Sequence, residues 1–284
     1  MKISSDWHIH STASYDATAG MQIADIARCA PELGICDFGI TDHVHTPYNL
    51  PDLAASRRAF LSVPPSPRFH FGVETSCISQ WELAEIASGR HENPVAGVRQ
   101  GGPAGGALAI GVTADDLRLY GVEYVIGSAH WPMYVPFERE AIIRDYHRQN
   151  MFLAAHPLVT IIAHPWWWKG HWRSAEGLYQ AEPWFDSFKA IPESMHDEFA
   201  GTVLAHGKVV EINIGGILFN PSYPGRFKRE YLDYLAYLHE RGVPLSIGSD
   251  CHSVYAHCQF AEAAELLAAV GIKDNNLWRL PLRK

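Results

Sequence analysis

Histidines and carboxylates recur in this sequence directly after short apolar runs. The first run leads into Asp6-Trp7-His8-Ile9-His10, where the period of two along a strand puts Asp6, His8 and His10 on one face. Five later runs end in a His, Asp or Glu as well, namely at Asp42-His43, Glu74, His130, His164 and Asp250-x-His252. Imidazole and carboxylate groups together suit zinc, manganese or iron, so the pattern indicates metal chemistry.

Each of these signals is weak when it is taken alone, because a His-x-His pair is often two satisfied or exposed histidines. If the strands are parallel, however, they bring about six imidazoles and three carboxylates to one end of a sheet. Burying ionised carboxylates at that end of the sheet without a partner of opposite charge is costly in free energy. Divalent cations can balance the charge of such a cluster with few ions. Nine ligands exceed the three or four that one catalytic zinc uses, so we predict two or three divalent metal ions, of Zn, Mn or Fe.

The elements that must position these side chains alternate along the chain. Seven β-branched, apolar runs predict strands at 2–8, 37–41, 69–74, 123–128, 158–163, 208–214 and 243–249. Apolar spacing of three and four predicts helices at 22–33, 52–61, 80–88, 113–120, 138–156, 193–206, 228–241 and 256–270. This alternation is typical of βα units with a parallel sheet. Seven units favour a closed or nearly closed barrel, although an open doubly wound sheet fits the same pattern.

Two segments interrupt this rhythm, and we expect the whole of 1–284 to be one domain around them. Residues 91–111 contain a Gly-rich stretch at 100–106, which predicts a flexible loop because it matches no phosphate-binding glycine motif. Residues 165–190 are rich in Trp and Pro and predict a long excursion after the fifth strand.

The composition excludes several classes of protein. The 23 basic and 31 acidic residues give a net charge of −8, which argues against a nucleic-acid or anionic-membrane surface. No apolar run of about 18 residues predicts a membrane span, and the first residues do not resemble a secretory signal. The five cysteines form no Cys-x-x-Cys pair, so we expect a cytoplasmic protein without disulfides. The oligomeric state stays open.

The motif set resembles that of the PHP (polymerase and histidinol phosphatase) superfamily over about residues 3–272. The motifs that carry the resemblance are Asp6-x-His8-x-His10, Thr41-Asp42-His43, Gly72-Val73-Glu74, Ser128-Ala129-His130, His164-Pro165 and Ser249-Asp250-x-His252. The resemblance implies an α/β fold of the distorted (β/α)7 TIM-like barrel type, in a single domain, with a trinuclear metal site and metal-dependent phosphoesterase activity.

The resemblance also implies how nine ligands divide among three metals. The ligands of the first metal would be His8, His10, Glu74 and Asp250. Glu74 would bridge to a second metal, whose other ligands would be His130 and His164. The ligands of the third metal would be Asp16, His43 and His252.

Clustered cations make a phosphate ester the expected substrate. Two neighbouring divalent ions would lower the pKa of a bridging water, and the hydroxide so formed would attack phosphorus in line. Glu74 and Asp250 would take part through the metals. Asp42 is expected either to orient its neighbour His43 or to protonate the leaving oxygen, and we favour the first role.

Candidate substrate-binding residues follow the fifth and sixth predicted strands. Lys169 and Arg173 lie after the fifth strand and Arg226 after the sixth, where each could reach phosphate or be a solvated surface charge. Asn213 shares a strand face with Glu211 and could line the site. Trp166, the first of three consecutive tryptophans, could stack on an imidazole or a nucleobase or simply pack the loop.

The leading prediction is therefore a phosphatase of a small-molecule phosphomonoester, with L-histidinol phosphate as the first named substrate. An amidohydrolase-type metal hydrolase of a non-phosphate substrate is one alternative, because such barrels also open with His-x-His. A nucleotide or nucleic-acid phosphoesterase is another, although no Lys/Arg stripe is visible. The last alternative is a barrel without metals that acts only as an interaction module.

Overall fold

A computed structural model describes residues 2–91, 94–167 and 187–281 of the chain. The strands of the described residues are β1 (Ser5–Ile9), β2 (Asp37–Ile40), β3 (His43–Val44), β4 (Phe69–Ser79), β5 (Leu108–Ile110), β6 (Tyr124–Ser128), β7 (Ile161–Ala163), β8 (Val209–Asn213) and β9 (Leu245–Gly248). Seven of them form a parallel path in the order β1-β2-β4-β6-β7-β8-β9. This path contains every strand that the sequence predicts.

The two ends of the path meet and nearly close the sheet into a barrel. The Asp250 amide donates to the His8 carbonyl at 2.8 Å, and the His10 amide donates to the Cys251 carbonyl at 3.2 Å. Ile9 and Cys251 form an isolated parallel bridge at the same place. The predicted single-domain, TIM-like α/β barrel is thereby confirmed, and the open doubly wound sheet is excluded.

Helices connect successive strands and cover the outside of the barrel. They are α1 (Ile23–Glu32), α2 (Leu50–Leu61), α3 (Gln80–Ala87), α4 (Ala114–Tyr120), α5 (Arg139–Ala155), α6 (Glu193–Ala205), α7 (Gly225–Glu240) and α8 (Phe260–Ala269). Each corresponds to a helix that the apolar spacing predicts. The prediction of 256–270 begins too early, because Tyr255–His257 forms a separate 3₁₀ turn before α8. No helix in the described part of the chain is long and apolar enough to cross a membrane.

The structure differs from the sequence prediction around β4 and the Gly-rich segment. β4 runs for 11 residues, to Ser79, and its second half pairs antiparallel with β5. β5 lies inside 91–111, which the sequence predicts to be a loop. Three residues are too few to show a strand period, which is why the sequence does not reveal β5. β5 forms because the second half of β4 has a free edge with which it can pair.

An aromatic plug fills the end of the barrel where the strands begin. The Tyr124 hydroxyl donates to the Trp7 carbonyl at 2.9 Å, and the two rings meet edge to face at 5.7 Å. Gly39 and Gly72 leave room for the Tyr124 ring, because a Cβ at either position would overlap it. The plug leaves the opposite end of the barrel, where the strands finish, to carry the site.

Candidate metal centre

The ionisable side chains that follow the strands converge at the carboxyl end of the barrel. His8 lies on β1, His43 on β3 and Glu74 in the middle of β4, while His130, His164 and Asp250 follow β6, β7 and β9 within two residues. His43, His130, His164 and Asp250 border a pocket of about 1150 Å³, while His8 and Glu74 lie buried behind them. Parallel barrels place active sites at this end, because the loops there come from every strand.

Glu74 lies at the centre of this cluster and is fully buried. Its Oε2 is 3.3 Å from His8 Nε2 and 3.5 Å from His10 Nε2. Its Oε1 is 3.2 Å from His130 Nε2 and 3.1 Å from His164 Nε2. His43 Nδ1 also lies 2.7 Å from Oε2. The two oxygens of one carboxylate thus face different sets of imidazoles.

Asp250 completes the group around the first pair of imidazoles. Its Oδ1 is 3.6 Å from His8 Nε2 and 3.3 Å from His10 Nε2, and the two Nε2 atoms are 2.9 Å apart. The four side chains His8, His10, Glu74 and Asp250 therefore surround one point.

A third group lies beside the first and contains the least buried of the predicted ligands. Asp16 Oδ2 is 3.5 Å from His43 Nε2, and Asp16 Oδ1 is 3.6 Å from His252 Nε2. The two imidazole nitrogens are 3.2 Å apart. The Asp16 side chain is 38% exposed, so this group opens toward the pocket.

The other ring nitrogen of four of these histidines has a partner of its own. His8 Nδ1 is 2.6 Å from Glu211 Oε1, and His10 Nδ1 is 3.1 Å from Ser14 Oγ. The remaining two contacts are His130 Nδ1 with Ser76 Oγ at 2.7 Å and His252 Nδ1 with the Asp250 carbonyl at 2.9 Å. Such contacts fix the tautomer and turn each Nε2 lone pair toward the cluster.

Backbone strain accompanies two of the predicted ligands. His164 has φ 29° and Asp250 has φ 53°, a region that side chains other than glycine adopt only at a cost. Next to Asp250, residues Ile214–Leu218 form a π-helical turn, and Gly216 there leaves no room for a Cβ against Asn213 and Asp250. Strained backbone and π turns of this kind cluster at functional sites.

Charge in the cluster is strongly redistributed. Burial alone would raise the pKa of Glu74, but the nearby His8, His43 and His130 outweigh it and hold that pKa well below its usual range. Burial lowers the pKa of His130 to about 4 and also depresses that of His10. Against the effect of burial, Glu211 and Glu74 raise the pKa of His8, and Glu74 raises that of His43 to about 10. Without a metal, protonated imidazoles thus balance the carboxylates, and a bound cation would replace those protons.

The distances fit divalent cations. At a metal–nitrogen distance of about 2.0–2.1 Å, two ligand atoms on one tetrahedral ion lie about 3.3 Å apart. The separations within the three groups run from 2.9 to 3.6 Å. Three triads made only of these predicted ligands have their ligand atoms within 4.8 Å of one another, and two further triads include His45 or Glu211.

Asp42 lies beneath the cluster and accepts four hydrogen bonds. Ser11 donates from its amide and its hydroxyl, both at 2.6 Å, while the hydroxyls of Ser14 and Ser56 donate at 2.8 and 2.5 Å. Ser14 in turn contacts His10 Nδ1 and accepts from the His43 amide. This environment favours an orienting role for Asp42 over proton transfer.

The candidate substrate-binding residues are only partly brought together. Asn213 Nδ2 donates to Asp250 Oδ2 at 3.1 Å, so this side chain belongs to the site. Arg226 pairs with Glu230 at 2.9 Å and contacts Ser187 instead. Trp166 is buried beside His147 and His196, outside the pocket that Trp167 lines. Lys169 and Arg173 lie outside the described residues.

Three residues of the site escaped the sequence prediction. Glu211 orients His8, as described above, although the sequence places it only on a shared face with Asn213. His45 and Arg99 both line the pocket. His45 follows His43 at the strand period of two, a signal that could have found it. Arg99 lies in the Gly-rich segment, where no local pattern marks it.

Comparison with known proteins supports the fold through structures alone. No family model and no curated protein matches the sequence. The histidinol phosphate phosphatase of Lactococcus lactis subsp. lactis, solved with zinc, L-histidinol and phosphate, matches with a TM-score of 0.58 at 17% identity, covering 95% of this chain and 94% of that one. A protein assigned as the histidinol phosphatase of Listeria monocytogenes matches with a TM-score of 0.56 at 12% identity, covering 92% and 99%. At such identities the likeness shows a shared fold.

Proposed function

We propose that this protein is a metal-dependent phosphoesterase that hydrolyses a small-molecule phosphomonoester. The observation that carries the proposal is Glu74, whose Oε2 faces His8 and His10 and whose Oε1 faces His130 and His164, all at 3.1–3.5 Å. One carboxylate between two pairs of imidazoles is the arrangement that a bridging ligand of two cations requires.

Nine side chains would hold three cations. Those of the first are His8, His10, Glu74 and Asp250; those of the second are Glu74, His130 and His164; those of the third are Asp16, His43 and His252. When bound, clustered divalent cations supply Lewis acidity and lower the pKa of water toward neutrality. Zinc, manganese and iron all suit this mixture of imidazole and carboxylate.

The protein itself contributes orientation and charge. Glu211 and Ser76 hold His8 and His130 by their Nδ1 atoms, at 2.6 and 2.7 Å, so their Nε2 atoms point to the cluster. Asn213 fixes the Asp250 carboxylate at 3.1 Å. Asp42 does not contact the predicted ligand atoms. It accepts a hydrogen bond from Ser14, whose Oγ contacts His10 Nδ1 and the His43 amide. These contacts hold the ligands in place before any cation binds, which reduces the cost of binding.

We propose L-histidinol phosphate as the first substrate to test. The Lactococcus structure that shares this fold contains L-histidinol and phosphate. In the present chain, Tyr15 and Trp167 line a pocket of about 1150 Å³ beside the cluster, and their rings could stack on an imidazole.

The test is a substrate screen on protein that has been stripped of metal and reloaded with zinc, manganese or iron. We expect phosphate release from monoesters, with L-histidinol phosphate ahead of nucleoside monophosphates, and none from the stripped protein. Preference for nucleotides would keep the reaction and change the substrate. Hydrolysis of amides or lactones without release of phosphate from any ester would contradict the proposal and favour an amidohydrolase.

A further inference from the structure

We infer that His45 and Arg99 form an anion-binding subsite that holds the phosphate group of the substrate. Both residues line the pocket, and neither belongs to the nine side chains assigned to metal. The inference rests on the proposed function, because it assumes a cation at His130 Nε2. It depends on three features: a hydrogen-bonded chain through Ser76, the unpartnered nitrogen of His45, and the way in which Arg99 is held.

The chain through Ser76 joins His45 to a metal ligand. Ser76 is fully buried, and its Oγ is 2.7 Å from His45 Nδ1 and 2.7 Å from His130 Nδ1. One hydroxyl thus lies between two imidazoles. A hydroxyl has a single proton to donate, so the two contacts cannot both be donations from Ser76.

The cation at His130 decides the direction of this chain. A cation on Nε2 leaves the proton of neutral His130 on Nδ1, and that N–H donates to Ser76 Oγ. Ser76 can then donate its own proton to His45 Nδ1. If His45 donated instead, the buried Ser76 proton would have no acceptor among the described residues, which is costly. His45 therefore carries its proton on Nε2.

That Nε2–H of His45 is a buried donor without an acceptor. His45 is only 2% exposed, and its Nε2 has no hydrogen-bond partner in the parts of the chain that the structure describes. The ring stacks on His43 with centroids 4.3 Å apart, which holds it in place. Since buried donors are normally satisfied, an acceptor on the bound substrate is the missing partner.

Arg99 supplies a positive charge to the same pocket and is held from several sides. Its guanidinium lies 4.8 Å from the centre of the Trp131 ring, and its Nε donates to the Ala96 carbonyl at 3.0 Å. The preceding residue is fixed as well, because the Val98 amide donates to Glu82 Oε1 at 2.6 Å. No carboxylate forms an ion pair with Arg99 among the described residues, so its planar fork of donors is available to an anion.

Two such donors in the lining of one pocket suit a phosphate group. A guanidinium fork and a fixed N–H can take two or more of the oxygens of a phosphomonoester, which carries more charge and more free oxygens than a diester. This subsite would also supply the cation that the sequence suggested at Lys169, Arg173 or Arg226. Because Arg99 lies in the segment 91–111, the inference also gives that segment a function.

The test combines four variants with three measurements. Arg99→Met and His45→Phe remove the donors but keep apolar bulk, whereas Arg99→Lys keeps the charge and His45→Gln keeps an amide N–H near Nε2. Arg118→Met and His206→Phe, which change exposed residues, serve as controls. Metal content, the Kd of inorganic phosphate for metal-loaded protein by calorimetry, and kcat and KM for a phosphomonoester are measured for each variant.

We expect Arg99→Met and His45→Phe to keep the metal content of the unchanged protein. Both should weaken phosphate binding and raise KM about tenfold or more, the loss that removal of one charge-assisted hydrogen bond produces. Arg99→Lys and His45→Gln should recover part of the binding, and the controls should show no change.

Other results would overturn the inference in distinguishable ways. If the unchanged protein binds metal and releases phosphate while both variants bind phosphate normally, the subsite is wrong and the proposed function stands. If His45→Phe loses metal, His45 is a ligand rather than a phosphate donor. If the unchanged protein neither holds metal nor hydrolyses esters, the proposed function and the subsite fail together.

Discussion

Glu211 Oε1 lies 2.6 Å from His8 Nδ1 at the base of the cluster. The other oxygen of the same carboxylate accepts from the His164 amide at 2.9 Å and from Asn213 Nδ2 at 3.0 Å. One buried carboxylate on β8 thus orients a side chain of β1 and the strained backbone after β7. Glu211 therefore links ligands of two proposed cations without facing the pocket.

Replacing this carboxylate should weaken metal binding without removing a ligand. We expect Glu211→Gln to lower metal affinity by about 10- to 100-fold, because outer partners of ligating histidines typically have effects of that size. Competition against a chelator of known affinity measures the change. The matched control is Glu123→Gln, since Glu123 Oε2 makes the same contact with His70 Nδ1, at 2.7 Å, outside the cluster. Equal metal affinity in Glu211→Gln and Glu123→Gln would contradict the orienting role.

A change at Asp42 separates orientation from proton transfer. Asp42→Asn places an amide N–H among four donors, so we expect the free energy of unfolding to fall by about 1–3 kcal/mol. Urea titration measures this fall. If Asp42 orients His10 through Ser14, the rates with an aryl ester and an alkyl ester should drop by the same factor. A loss confined to the alkyl ester, whose leaving group needs a proton, would instead identify Asp42 as the acid.

The sequence predicts the barrel well because its signals there are local. Each strand of the main path is a short apolar run, and each helix shows its own spacing, so Ser5–Ile9 and Ile23–Glu32 can be located without their neighbours. The ligand cluster follows from the same positions, since parallel strands bring their carboxyl ends together. β5 is different, because its existence depends on an edge of β4 that no local pattern reveals.

Residues that act through contacts distant in sequence are harder to predict. Arg99 reaches the pocket because Glu82 holds the Val98 amide and because Trp131 lies under the guanidinium. Trp166 shows the reverse case: its position directly after the His164-Pro165 pair suggests the pocket, yet it packs between helices, and Trp167 lines the pocket instead. Sequence order alone does not determine which of two adjacent rings faces a site.

Glu82 should give the stability of the protein a characteristic dependence on pH. Burial is the main cause that raises the pKa of Glu82 from 4.5 to about 7, against the opposing effects of the Val98 amide, Tyr134, Ser79 and Arg99. The folded state then binds a proton more tightly than the unfolded chain, so the free energy of unfolding falls as pH rises from 4.5 to about 7. The shift corresponds to a contribution of about 3 kcal/mol.

Glu82→Gln should remove this contribution. Urea titration at about pH 5 and about pH 8 gives the free energy of unfolding of the variant and of the unchanged protein. The difference between these two free energies cancels the effects of the other titrating groups. We expect Glu82→Gln to gain relative stability at the higher pH. Glu85→Gln changes a partly exposed carboxylate on the same helix whose pKa is lowered by its hydrogen bond with Arg90, so it should show no such trend between these pH values. A pH-independent difference for Glu82→Gln would show that its carboxyl titrates normally.

The bridging role of Glu74 predicts a joint loss. Glu74→Gln removes one ligand from each of two proposed cations, so metal content and kcat should fall together, with kcat lower by at least about 100-fold. Glu240→Gln, an exposed change at the end of α7, should leave both unchanged. Full metal content with normal turnover in Glu74→Gln would exclude the bridge.

The most direct test of the metal centre is a count of metal ions per chain. Protein reloaded with zinc, manganese or iron is dialysed, and elemental analysis gives the ratio of metal to protein. The first group contains Asp250, the second is formed around Glu74 Oε1, and the third contains Asp16. These groups predict a ratio of two to three metal ions per chain. A ratio below two for every metal tested would contradict the proposed clustered metal site and, with it, the phosphoesterase mechanism.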